Sequence, residues 1–184
     1  MKRHIAILPI ALTTGFLPQV HAADPAPISN EVYKLAKDDV EQHYAREKLA
    51  CDSVSGNAKD ICRAEVKGAE KVALARLKAQ HTGKQADKDA ATEAGIDARH
   101  QIAKERCDDL QGNPKDVCEK QAKAEHVKAM SSLKARQEIK EIRDETADKK
   151  READYKVAAE RCDGMAGTAK DACQASAKAR YHVN

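Results

Sequence analysis

The stretch Cys51-Asp52-Ser53-Val54-Ser55-Gly56-Asn57-Ala58-Lys59-Asp60-Ile61-Cys62 returns as close copies at 107–118 and 162–173, and the three copies hold all six cysteines. Each copy has Cys-Asp, a medium apolar residue (Val54, Leu110, Met165), then Gly, then Asn or Thr, then Lys-Asp, one further residue and Cys. Gly56, Gly112 and Gly167 stand where an incoming helix is expected to stop, because glycine takes the left-handed conformation without a Cβ clash. A second helix is expected to start at once. Asn57, Asn113 and Thr168 are read as its N-caps, with Asp60, Asp116 and Asp171 three residues later as an acidic variant of the capping box. Pro114 fits this frame, since the first helical position loses nothing by lacking an N–H.

Each copy is therefore expected to form a tight αα-hairpin with its two cysteines facing each other. Helix axes about 8–10 Å apart leave roughly 3.5–5.5 Å between facing Cα atoms, which overlaps the disulfide range. Six cysteines allow about fifteen complete pairings. The turn chemistry selects the local one: Cys51 with Cys62, Cys107 with Cys118, and Cys162 with Cys173. Metal ligation is the weaker reading, because no Cys-x-x-Cys pair occurs and ten residues separate partners.

Outward from these units, residues 1–22 have a short basic start, an apolar run and a small-residue end at Val20-His21-Ala22, the pattern of a secretory signal peptide. The run is broken by Pro9 and Gly15 and is shorter than the roughly 18 residues a spanning helix needs. Cleavage after Ala22 would take the formal charge of the chain from +3 to +1 by removing Lys2 and Arg3. The expected organisation is a signal peptide at 1–22, a spacer at 23–30 and a helical repeat region at 31–184, with units 31–85, 86–140 and a truncated 141–184. A periplasmic or secreted location follows, with no transmembrane segment after cleavage.

The expected fold is all-α: elongated antiparallel helical hairpins, repetitive and coiled-coil-like, clipped by disulfides. Helices are expected to about Val54, from Ala58 to a break at His81-Thr82-Gly83-Lys84, from Ala86 to Leu110, from Pro114 to Arg161 without interruption, and from Ala169 to about His182. The long one would measure roughly 75 Å. It carries Glu119/Lys123, Glu145/Lys149 and Glu152/Lys156 in the favourable i,i+4 order. Nearly half of the 41% hydrophobic fraction is alanine and Trp is absent, so a conventional globular core is not expected.

The repeated Glu-Arg-Cys-Asp (105–108 and 160–163), Gly-Asn (56–57 and 112–113) and Lys-Asp-x-Cys (59–62, 115–118 and 170–173) resemble a group of small exported proteins of Gram-negative bacteria. Their Ala/Lys/Glu-rich helical repeats have earned them the labels TolA-like and cell envelope biogenesis protein. The resemblance implies an exported, helical, envelope-associated protein of undefined activity; the expected partner is another envelope protein.

The remaining candidates for chemistry are weak. Asp52, Asp108 and Asp163 beside the first cysteines pair on paper with the later Lys-Asp as acid/base sets, but the better account has the second Asp of each copy capping a helix and the lysines solvated or salt-bridged. His43, His81, His100 and His126 are scattered, and His100 takes the place of Tyr44 and Tyr155, seven residues before a cysteine, where packing over the clip is expected. No phosphate loop, nucleophile elbow or catalytic serine setting is present, so no catalytic residue, cofactor or metal ligand is expected. Basic residues are interleaved with acids throughout, which argues against nucleic acid as a partner. Two readings remain: a non-enzymatic structural or interaction protein of the cell envelope, serving as periplasmic spacer or scaffold, and a periplasmic small-ligand or metal-buffering helical module.

Overall fold

The computed structural model describes residues 26–183, so the expected signal peptide lies outside the described residues. Five helices follow one another: α1 (Asn30–Ala50), α2 (Asn57–Thr82), α3 (Gln85–Cys107), α4 (Asn113–Asp163) and α5 (Gly167–Tyr181). A short 3-10 turn, Cys51–Ser53, continues α1. There is no strand among the described residues. Ser29 caps α1, its hydroxyl accepting from the Val32 N–H at 3.3 Å.

Three reversals of the chain are closed by disulfides, Cys51–Cys62, Cys107–Cys118 and Cys162–Cys173, with Cα atoms 5.7, 5.6 and 5.6 Å apart. A fourth reversal, between α2 and α3, has no disulfide. There Gly83 takes a left-handed conformation and its N–H bonds the Ala79 carbonyl, which ends α2 and turns the chain. In front of it, Tyr33 of α1 stacks on His81 at 4.5 Å, and His81 Nδ1 lies 2.9 Å from the Ile28 carbonyl. The described part of the spacer is thereby held against the end of α2.

The corners differ from the expected capping scheme. Gly56 and Gly112 do not end the incoming helices; they are the N-cap positions of α2 and α4. Asn57 and Asn113 are the first helical residues, and Thr168 is the second residue of α5, whose N-cap is Ala166. None of the three helices has a side-chain cap. The reason is geometric. At φ near +60° and ψ near −150°, the two N-cap residues occupy a backbone region open essentially to glycine alone, so the cap position has no side chain to offer. The glycine carbonyl starts each helix instead, accepting from Lys59 and Asp60 in α2 and from Lys115 and Asp116 in α4. Asp60 and Asp116 lie in the first turns, where they complement the helix dipole, whereas Asp171 falls beyond the first turn of α5.

Among the described residues each helix packs only against its neighbours in sequence, α2 on α3 most extensively. The result is a single layer with no second layer over it. Among the described residues the buried hydrophobic ones are few and mostly small: Cys51, Cys107, Cys162, Ala79, Ala122, Ala177, and only Leu77, Ile96 and Leu133 of larger size. Small residues allow close approach. A Cβ built on Gly68 of α2 would fall 2.8 Å from the Ala98 Cβ of α3, so this contact exists because position 68 is glycine.

Beyond α3, α4 continues alone. Every residue from 134 to 154 is exposed. Lys140–Asp144, Lys149–Glu145 and Lys156–Glu152 pair at i,i+4 spacing, and Arg151 pairs with Asp148, so the free stretch is supported from its own surface. Glu119 lies 4.0 Å from Lys115, on the side away from Lys123.

The Gly68–Ala98 contact makes a direct prediction. Gly68→Leu should destabilise the protein by about 2 kcal/mol, because overpacking against α3 outweighs the gain in helix propensity. Urea unfolding followed by circular dichroism reads this. An unchanged or higher midpoint would show that α2 and α3 do not meet at these residues.

Candidate functional site

The three corners share a construction that goes beyond the disulfide. In each, the N–H of the medium apolar residue bonds the carbonyl of the first cysteine: Val54 to Cys51, Leu110 to Cys107 and Met165 to Cys162. In each, the aspartate after the first cysteine reaches across the turn to the lysine of Lys-Asp-x-Cys. The ion pairs are Asp52–Lys59 at 2.9 Å, Asp108–Lys115 at 2.7 Å and Asp163–Lys170 at 2.9 Å. Lys59, with Arg63 at 3.0 Å as a second partner, holds the Asp52 carboxyl below the usual carboxylate range. Asp108 holds the Lys115 ammonium above its ordinary value.

These pairs are solvent-exposed, where an ion pair adds little to stability, and they span the corner in the same way in all three copies. The acid/base sets suggested by Cys-Asp and Lys-Asp are therefore turn-spanning salt bridges. Sequence reasoning assigned the second aspartate of each copy and missed the first. The available signal was an Asp and a Lys seven residues apart in all three copies.

The first and second corners are also tied to each other. Asn57, freed from capping, donates through its side-chain amide to the Glu105 carbonyl at 2.8 Å. Arg106 pairs with Glu65 at 2.8 Å. Both residues of α3 belong to the Glu-Arg-Cys-Asp motif. Next to this contact an open groove of about 750 Å³ runs between α2 and α3, with Ala64, Gly68, Ala94 and Ala98 in its floor and charged side chains at its rim. Such a trough presents a surface.

His43 lies edge-on to Tyr44 on α1, with ring centroids 4.8 Å apart, and the other three candidate histidines fall in two places. His81 serves the α1–α2 contact described above. His100 of α3 stacks on His126 of α4 with ring centroids 4.5 Å apart, and His126 Nε2 lies 2.7 Å from Asp97 Oδ1. His100 shares a recess with Cys118, so the expected position over the clip is correct in part, but its main partner is the second imidazole. Burial lowers the His100 pKa, and the neighbouring His126 and Lys104 charges lower it further. Among the described residues no group of three or more His, Cys, Asp or Glu side chains is placed to hold a metal ion. No helix among them is long and apolar enough to cross a membrane.

Several large apolar residues are exposed. On α1 these are Val32, Leu35 and Leu49; on α4 they are Val117, Val127, Ile139, Ile142 and Val157. No protein family, curated protein or solved structure matches the chain.

His100 gives a pH dependence of known sign. Its folded-state pKa lies below the unfolded value, so the unfolded chain takes up a proton more readily as pH falls through about 6.5. This contribution leaves stability untouched above about pH 7.5 and lowers it progressively as pH drops toward the folded-state pKa. His100→Gln should remove that part, flattening the difference in urea midpoint between pH 8 and pH 5.5. Identical pH dependence in the two proteins would contradict the assignment.

Proposed function

We propose that this chain is a non-enzymatic, exported helical scaffold or spacer of the bacterial cell envelope, acting by presenting its side faces to another envelope protein. The observation that carries this reading is α4: a 51-residue helix, about 75 Å long, whose residues 134–154 are all exposed. A helix that spans such a distance, with ion pairs along its surface and apolar residues left in the open, suits holding components apart or together. It encloses no volume in which a substrate would be screened from water. Three disulfides suit an oxidising compartment, and the sequence at 1–22 has the pattern of an export signal.

The test is made in a Gram-negative cell. A photo-crosslinking amino acid at Lys149, in the exposed stretch of α4, should give discrete adducts with a different protein in the periplasmic fraction, and the exported chain should begin at Ala23 by mass. Retention in the cytoplasm, or the lack of any adduct with a different protein from positions along 134–154, would count against the reading.

A further inference from the structure

We propose that α4 pairs with α4 of a second copy of this chain, antiparallel, so that two chains rebuild between them the interface that α2 and α3 form within one. The argument starts from the internal repeat. Cys62 and Cys107 are 45 residues apart, and Cys118 and Cys162 are 44 apart. In the first interval the chain reverses at Gly83, and the two halves pack together as α2 and α3. The corresponding place in the second interval is Glu138-Ile139. Neither glycine nor proline stands there, so the helix runs straight through and its two halves point away from each other.

The residues that join α2 to α3 have counterparts in α4 that a single chain cannot bring together. Asn57 donates to the Glu105 carbonyl; the equivalents are Asn113 and Glu160. Gly68 meets Ala98; the equivalents are Ala124 and Ala153. Ile102, half-buried one turn after Ala98 on α3, corresponds to Val157, which is 54% exposed. Along one straight helix Asn113 and Glu160 are about 70 Å apart. A second α4 running the other way, related by a two-fold axis near Glu138-Ile139, brings each residue to its counterpart and forms every contact twice. Ala124 carries one Cβ more than Gly68, so these helices stand slightly farther apart than α2 and α3.

Two further features favour this partner and this direction. Residues 113–138 carry six basic and four acidic side chains, whereas 139–163 carry seven basic and eight acidic. Antiparallel pairing sets the net positive half on the net negative half; parallel pairing would set like on like. The new interface is also continuous with the existing layer. α2 is flanked by α1 and α3, and α3 by α2 and α4. The first half of α4 has α3 on one flank only, and the second half has α5 on one flank only. The partner supplies the missing neighbour of each, covering Ile139 and Ile142, which are 50% and 61% exposed near the axis.

This inference goes beyond the envelope-scaffold reading and needs no envelope component, so a monomer in vitro would sink it and leave that reading standing. Sedimentation equilibrium of the oxidised protein from 1 µM to several hundred µM should show a monomer–dimer equilibrium. Ala153→Glu, on the exposed surface of the monomer, should weaken association at least tenfold without loss of helical circular dichroism. Replacing Glu138-Ile139 by His-Thr-Gly-Lys, the turn sequence at 81–84, should let α4 fold back on itself and give a monomer of unchanged association state at all concentrations. Spin labels fix the direction. Labels at Lys134 should lie near each other across the dimer, whereas labels at Lys120 should be on the order of 55 Å apart. A wild-type protein that stays monomeric, a dimer indifferent to Ala153→Glu, or a short distance between labels at Lys120 would each overturn the proposal.

Discussion

The whole arrangement depends on a covalent constraint applied over a very short length of chain. The cysteines of each pair are only 11 positions apart in sequence, and the disulfide holds their Cα atoms about 5.6 Å apart. In a chain-entropy picture, closing so short a loop removes roughly 2–3 kcal/mol of freedom from the unfolded state. Around the bridge, the glycine backbone, the N–H to the first cysteine carbonyl and the Asp–Lys pair agree on one geometry of return. Among the described residues the first cysteine of each pair is the most deeply buried side chain, so the clip is also the local core.

That constraint is what makes a single layer of helices workable. Large domains hold their helices together by burying a wide apolar face, and this chain has little such face to bury. Its buried set is dominated by cysteine and alanine, and its closest helix approach uses Gly68. Local covalent closure and small-residue contact replace a three-dimensional core. The same economy leaves both sides of the layer and the long part of α4 facing solvent, which is the property on which the proposed scaffold role draws.

Much of the architecture was legible in the residues because the deciding signals are local. Gly83, with His81 and Thr82 before it, marked the one reversal lacking a disulfide, and the run from Pro114 without glycine or further proline marked the long helix. Corner detail was less legible. Asn and Asp near a helix start suggest a side-chain cap, but the positive φ required at Gly56 and Gly112 shifts the cap onto glycine itself, and Asn57 then turns to Glu105 of another unit. The Asp–Lys bridges were hidden for a related reason, since seven residues of spacing places two side chains together only once the turn is known. The stacking of His100 on His126 needed the register between α3 and α4, which no local pattern carries.

If the corners are the primary constraint, each must close by itself, before and independently of contacts between units. Peptide mapping of the exported protein without reduction tests this most directly. The account predicts three bridges, Cys51–Cys62, Cys107–Cys118 and Cys162–Cys173, and the survival of the outer two when Cys107 and Cys118 are both changed to serine. Bridges joining different units, or free thiols throughout the exported chain, would contradict it.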